Sequence, residues 1–77
     1  MIPLLGFLEG DSLGVVVLAE ETDTMRELAI KLQQAARTRV ASSPRVKVVF
    51  RGRDLESAVT VAQAGIEALE RFDVVRT

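Results

Sequence analysis

The stretch Thr24–Arg39, TMRELAIKLQQAARTR, is the clearest helical pattern in the chain and decides how the rest must fold. Thr24 and Glu27 have the spacing of a capping box, in which each side chain bonds a free backbone N–H at the helix start. Apolar residues then recur at helical intervals and predict one buried stripe: Met25, Leu28, Ala29, Leu32 and Ala36. The chain therefore needs a second layer to cover this stripe.

The segments around this helix have the character of short β-strands. Two apolar runs, residues 2–8 and 13–19, flank Gly10 and Asp11, which is the pattern of a β-hairpin. After the helix, residues 45–51 read RVKVVFR and alternate in the manner of a strand.

The C-terminal third continues this pattern with smaller elements. Gly52 predicts a turn into a short edge segment around Leu55. Residues 60–66, TVAQAGI, predict one helical turn with a capping box and a C-cap glycine, and residues 71–76, RFDVVR, predict a last strand. The sequence thus predicts an α+β fold, in which one helix packs across one face of a mixed sheet of four to five strands.

Length and composition restrict the class of protein. The 77 residues predict a single domain, residues 1–77, with a small core. The chain has no cysteine and no apolar run near the ~20 residues of a membrane span, so we expect a cytoplasmic protein with no membrane partner.

The charges are segregated along the chain although the net charge is only -1. Residues 37–53 hold six bases and no acid: Arg37, Arg39, Arg45, Lys47, Arg51 and Arg53. This basic block is either a footprint for an acidic partner or a solvated loop and strand face. We expect no nucleic-acid partner, because the chain is acidic overall and no aromatic residues are interleaved with the bases.

The residue types give little support to catalysis. Histidine and cysteine are absent, which removes the commonest general base and the best nucleophile. The acidic residues Glu20, Glu21 and Asp23 lack the spacing and loop glycine of a calcium-binding EF-hand. We therefore expect no catalytic residue, no metal ligand and no cofactor in this chain.

Strand parity indicates a second apolar face on the sheet. Alternation places eight residues under the helix: Leu5, Phe7, Val15, Val17, Val48, Phe50, Phe72 and Val74. The opposite face would carry Leu4, Leu8, Val16, Leu18, Val49 and Val75, with Lys47, Arg51 and Asp73 as its polar members.

A sheet that is apolar on both faces normally has both faces covered. We therefore predict a partner-binding face formed by Leu4, Leu8, Val16, Leu18, Lys47, Val49, Arg51 and Val75. The alternatives are an ordinary surface, since much of any protein surface is apolar, and self-association.

The element order and several local motifs resemble the β-grasp fold of ubiquitin. The segments that carry the resemblance are DTMRELAIKL at the central helix, VVFRGRDLE at the strand and edge segment, and TVAQAGI before the last strand. Ubiquitin is conjugated to lysines through a C-terminal diglycine, whereas this chain ends DVVRT, so we expect no conjugation.

Within that superfamily the chain resembles the small ubiquitin-like subunit, system protein B, of bacterial toluene monooxygenases. The likeness rests on the opening PLLGFLEGD, on DTM at the helix start, and on TVAQAG before a strand ending DVV. The resemblance implies a non-catalytic subunit that docks on the large hydroxylase subunit, which carries the di-iron centre. The alternative is a free-standing ubiquitin-like adaptor with no link to an oxygenase.

Overall fold

The computed structural model describes all residues, 1–77, and its secondary-structure elements follow the predicted order. Their bounds are β1 Ile2–Leu8, β2 Gly14–Ala19, α1 Met25–Ala36, β3 Val46–Phe50, β4 Arg53–Leu55, α2 Val61–Ala64 and β5 Arg71–Arg76. Neither helix is both long enough and apolar enough to cross a membrane.

The five strands form one mixed sheet in the order β2-β1-β5-β3-β4. β1 and β5 run parallel, and the other neighbouring pairs are antiparallel. Helix α1 lies across one face of the sheet and contacts β1, β2 and β3. The predicted α+β architecture is therefore confirmed.

Helix α1 begins at the predicted capping box. The Glu27 N–H donates to Thr24 Oγ1 at 3.2 Å, and the Thr24 N–H donates to Glu27 Oε1 at 3.0 Å. All five residues of the predicted stripe are buried: Met25, Leu28, Ala29, Leu32 and Ala36. Helix α1 thus closes the core by the pattern that its sequence predicts.

The short helix α2 also follows its local sequence signals. The Gln63 N–H donates to Thr60 Oγ1 at 3.1 Å, and the Thr60 N–H donates to Gln63 Oε1 at 3.0 Å. Gly65 ends the turn with a φ of 72°, a left-handed conformation that glycine adopts without steric cost. Val61 anchors the turn in the core.

Strands β2, β3 and β5 have the predicted orientation, but the predicted orientation of β1 is wrong. Leu4 and Leu8, expected on the face away from α1, are 0% and 4% exposed and belong to the hydrophobic core. Leu5 and Phe7, expected under the helix, are half-buried on the opposite face.

The physical reason for this correction is the glycine at the centre of β1. A Cβ added to Gly6 would lie 2.9 Å from Phe72 Cζ and 3.0 Å from Leu32 Cδ1. The ring of Phe72 and the side chain of Leu32 therefore occupy the space that a larger residue at Gly6 would need. This close approach fixes which face of β1 lies under α1.

The loop from Arg37 to Arg45 is tied to the hairpin turn by an ion pair. Arg39 Nη2 and Nε donate to Asp11 Oδ2 at 2.8 and 3.0 Å, and the Leu13 N–H donates to Asp11 Oδ1 at 3.1 Å. The bond from Arg39 lowers the pKa of Asp11 below its usual value. The ion pair links the loop to the end of the sheet at β1 and β2.

A second contact ties the same loop to α1. The Ser43 N–H donates to Gln33 Oε1 at 2.6 Å, and Gln33 Nε2 donates to the Ser43 carbonyl at 3.2 Å. Val40, between the two contacts, is buried in the core. One member of the basic block, Arg39, is therefore part of the structure of this loop and not a free charge.

Candidate partner-binding face

The sheet face turned away from α1 is called the outer face. Its side chains alternate along each strand with the buried ones that face the helix. They are Pro3, Leu5 and Phe7 on β1, Val16 and Leu18 on β2, Lys47 and Val49 on β3, Asp54 on β4, and Arg71, Asp73 and Val75 on β5.

The structure brings five of the eight predicted partner-binding residues together on this face: Val16, Leu18, Lys47, Val49 and Val75. Val16 and Leu18 are 59% and 54% exposed, which is high for aliphatic side chains on a strand. Leu4 and Leu8 are removed from the predicted set because they lie in the core.

The apolar half of the outer face consists of Pro3, Leu5, Phe7, Val16 and Leu18. In the β1–β2 register, Pro3 is opposite Leu18 and Leu5 is opposite Val16, so their side chains are cross-strand neighbours on one surface. No charged side chain interrupts this group on β1 or β2. A contiguous apolar surface of this kind is typical of protein-binding sites.

The ring of Phe7 is held in a defined position on the apolar half by its contacts with Gly14 and Arg71. It lies opposite Gly14, where an added Cβ would be only 2.7 Å from Phe7 Cζ, so the ring lies against bare backbone. On its other side, the guanidinium carbon of Arg71 is 4.0 Å from the ring centroid, a cation–π arrangement. Parity reasoning placed Phe7 in the core, and Gly14 is the signal that could have placed it outside, since aromatic rings often cover a glycine on the neighbouring strand.

The charged half of the outer face consists of Lys47, Val49, Asp54, Arg71, Asp73 and Val75. Its charges are paired with each other: Lys47 Nζ lies 2.7 Å from Asp54 Oδ2, and Arg71 Nε lies 2.8 Å from Asp73 Oδ1. The bond from Asp73 raises the pKa of Arg71. Exposed pairs of this kind add little stability, but they leave this half without a dominant sign of charge.

Arg51 lies at the border of the outer face, where it lines a depression together with Val49, Arg71 and Asp73. It occupies the turn between β3 and β4 with a φ of 53°, and its guanidinium carbon is 5.1 Å from the Phe50 ring centroid. Arg51 Nη2 also donates to Glu70 Oε2 at 2.6 Å. The Glu67 N–H and Arg51 together lower the pKa of Glu70, with the backbone bond as the larger cause.

No group of three or more His, Cys, Asp or Glu side chains is arranged to hold a metal ion. The outer face offers aliphatic and aromatic contacts beside paired charges. Such a surface can bind another protein, and its role in binding stays a prediction.

The sequence matches the family of toluene-4-monooxygenase system protein B (TmoB) over residues 1–75. The chain belongs to this family. A solved chain of the "Toluene 4 monooxygenase HD Complex with Inhibitor 4-Bromobenzoate" is similar to it in structure, with a TM-score of 0.90. The two are 25% identical, and the match covers 99% of this chain and 98% of that one.

More distant structures share the fold alone. Caldiarchaeum subterraneum ubiquitin has a TM-score of 0.81 at 12% identity, over 99% of this chain and 92% of that one. A chain of the structure "ATBAG1 in complex with HSP70" also has a TM-score of 0.81, at 10% identity, and the match covers 99% of this chain but 40% of that one. No curated protein matches the sequence.

Membership of the system protein B family and the match to the toluene 4-monooxygenase complex establish the general role. The chain is a ubiquitin-like, non-catalytic accessory subunit of a monooxygenase. The predicted family, fold and role are thereby confirmed.

Proposed function

We propose that this chain docks on the large hydroxylase subunit of a toluene-type di-iron monooxygenase through the outer face of its sheet. The apolar half carries the proposal, because Val16 and Leu18 are more than half exposed in the isolated chain and Pro3, Leu5 and Phe7 are only half-buried. The predicted contact residues Val16, Leu18, Lys47, Val49 and Val75 are retained, and Leu5 and Phe7 replace Leu4 and Leu8.

The size of the chain requires that most of the outer face take part. A stable interface buries about 800 Å² on each partner, and the two longer extents of the protein, 29 Å and 22 Å, give a face of roughly 600 Å² in projection. An interface confined to one or two side chains would be too small. The outer face together with its edges is the surface that supplies the needed area.

The charged half has a different role in this proposal. Lys47 is paired with Asp54 and Arg71 with Asp73, so a partner that used these bases would have to exchange existing ion pairs for new ones. Such exchanges contribute more to orientation and association rate than to affinity. We infer that affinity comes from the apolar half and orientation from the charged half.

The chemistry of the complex belongs to the partner in this proposal. Family membership implies a di-iron hydroxylase, and the chain itself has no cluster of three or more possible metal ligands. The proposal therefore places the di-iron centre in the large subunit. It also takes residues 1–77 as one ubiquitin-like domain located in the cytoplasm.

Aspartate substitutions on β2 test the docking face. Val16→Asp and Leu18→Asp place a charge on the apolar half at exposed positions, so the isolated chain should keep its fold. Each variant should bind the hydroxylase large subunit of the same monooxygenase at least ~30-fold more weakly than the unmodified chain, which corresponds to about 2 kcal/mol. Affinity is measured by titration of the purified large subunit.

Ile30→Asp is the matched control. Ile30 is also an exposed aliphatic residue, 44% exposed, but it lies on the solvent side of α1, across the molecule from the outer face. This variant should bind like the unmodified chain. Wild-type affinity in both β2 variants, or equal loss in all three, would refute docking through the outer face.

A further inference from the structure

Strand β2 is an edge of the sheet that lacks the usual protection. It pairs with β1 alone, in an unbroken register from Ile2 opposite Ala19 to Phe7 opposite Gly14. Soluble proteins normally protect edge strands with charged residues, proline, bulges or short length. The other edge, β4, follows this rule with three residues that include Arg53 and Asp54, whereas β2 is GVVVLA.

The hydrogen bonds of β1 show which groups of β2 are free. The Leu69 N–H donates to the Pro3 carbonyl at 2.6 Å, and the Leu5 N–H donates to the Glu70 carbonyl at 3.0 Å. The backbone groups of Pro3 and Leu5 therefore point towards β5. Because they point away from β2, the residues opposite them on β2 form non-hydrogen-bonded pairs with β1.

Those opposite residues are Leu18 and Val16. Their N–H and C=O groups must point away from β1, towards the open edge. The Leu18 carbonyl has this direction, since it accepts a bond from Lys31 Nζ at 3.1 Å on the side of α1. The N–H groups of Val16 and Leu18 and the carbonyl of Val16 remain for a further strand.

We propose that an extended segment of the large hydroxylase subunit pairs with this edge of β2 and becomes a sixth strand of the sheet. The inference rests on the proposed function and specifies how the partner binds. Val16 and Leu18 carry both the free backbone groups and the exposed aliphatic side chains of the outer face. A paired strand would place its own side chains directly opposite them, so we expect aliphatic residues at alternate positions of the segment.

The location of the edge favours the large subunit as the source of the strand. β2 borders the apolar half of the outer face, so an added strand extends the docking surface on the side where the proposed affinity lies. It also adds contact area, which the outer face needs because of its small size. A second copy of this chain pairing through β2 would be a different occupant, and the test separates the two.

Amide hydrogen exchange measures the pairing directly. Exchange is allowed in the complex with the large subunit, then quenched, and the chain is read residue by residue. In the isolated chain, the Val16 and Leu18 amides should exchange much faster than those of Val15 and Val17, which point towards β1. In the complex, exchange at Val16 and Leu18 should slow by at least ~100-fold.

Proline at position 16 separates strand pairing from contact with the outer face alone. Val16→Pro removes an N–H that makes no bond to β1, and proline is tolerated at such edge positions. Val16→Ala trims the same side chain but keeps the N–H. If a strand pairs with β2, Val16→Pro should bind the large subunit at least ~10-fold more weakly than Val16→Ala.

Three results would overturn the proposal. In the first, the Val16 and Leu18 amides exchange in the complex as fast as in the isolated chain, and the proline and alanine variants bind with equal affinity. Docking through the outer face would then stand, but without strand pairing. The second is a dimer of this chain, detected by sedimentation without the large subunit, in which hydrogen exchange shows both amides to be protected. The third is the absence of any complex, which would refute the proposed function as well.

Discussion

Gly6 and Gly14 lie on neighbouring strands, and a side chain added at each would point to a different face of the sheet. The same substitution should therefore change the stability of the protein differently at the two positions. Gly6 on β1 faces the core, and Gly14 on β2 lies against Phe7 on the outer face. Neither has a positive φ, so alanine fits the backbone at both positions. Gly6→Ala and Gly14→Ala therefore compare the two faces of the sheet with one chemical change.

Gly6→Ala should lower the free energy of unfolding, because the side chains that the new Cβ meets are packed inside the core. The added Cβ meets Phe72 Cζ at 2.9 Å and Leu32 Cδ1 and Cδ2 at 3.0 and 3.1 Å, and both side chains are 0% exposed. Overpacking of this kind costs about 1–3 kcal/mol, partly offset by ~0.5–1 kcal/mol from replacing glycine in a strand. We expect a net loss of about 1–2 kcal/mol, or roughly 4–16 °C in Tm.

The contact at Gly14 is shorter but costs less. The added Cβ would be 2.7 Å from Phe7 Cζ and 3.2 Å from Leu5 Cδ1, both at the ends of side chains on the outer face that can move into solvent. Loss of the Arg71–Phe7 contact, worth ~0.5–1 kcal/mol, is balanced by the gain from replacing glycine. The free energy of unfolding of Gly14→Ala should stay within about 0.5 kcal/mol of the wild-type value. Binding of the large subunit should weaken, because the Phe7 ring has been displaced from its contact with residue 14.

Urea and thermal unfolding of the two purified variants measure the difference. The urea midpoint should fall in Gly6→Ala with an unchanged slope, and it should not move in Gly14→Ala. Equal stability of the two variants, or a larger loss in Gly14→Ala, would refute the assignment of Gly6 to the core face and of Phe7 to the outer face.

Two further predictions concern the contacts of α1. Gln33→Leu removes both bonds to Ser43, so we expect a loss of about 1–2 kcal/mol and faster amide exchange at Ser43; Gln34→Leu, on the exposed side, is the control, and equal effects would contradict the prediction. The second prediction concerns acid. The bond from Lys31 lowers the pKa of Asp23 from its usual 3.8, so the pair stabilises the fold above that value and the stabilisation is lost as pH falls through the lower folded-state pKa. Lys31→Ala should therefore reduce the difference between the unfolding free energies at about pH 7 and about pH 2, and an unchanged difference would count against the assignment.

The elements that could be predicted from sequence are those whose signals are local. The caps of α1 and α2 and the stripe of α1 depend on residues three or four apart, and the structure has them as predicted. The orientation of β1 could not be predicted in this way, because the run IPLLGFL is apolar on both faces. It is decided by the approach of Leu32 and Phe72 to Gly6, which involves residues far apart in sequence.

The same division applies to the outer face. Val16 and Leu18 could be predicted because the apolar run from Val15 to Leu18 leaves no polar face on β2. The pairing of the basic residues could not be predicted. Lys47 is paired with Asp54, seven residues later in the sequence. The acidic partners of Arg51 and Arg39, Glu70 and Asp11, are separated from them by still more residues. Three of the six basic residues are therefore paired with acids of the same chain, and this half of the basic block is not a free footprint for an acidic partner.

This internal neutralisation bears on where a partner must bind. A partner that approached the β3–β4 side would have to break the Lys47–Asp54 pair, and it would meet an edge strand only three residues long with exposed Arg53. On the β1–β2 side it would find aliphatic side chains and the unused backbone groups of Val16, while Lys31, which is paired with Asp23, holds the Leu18 carbonyl at this edge. The two edges of the sheet are thus unequal, because β4 is protected against a further strand and β2 is not. In the proposed complex, this inequality would orient the chain with β2 towards the large subunit and β4 towards solvent.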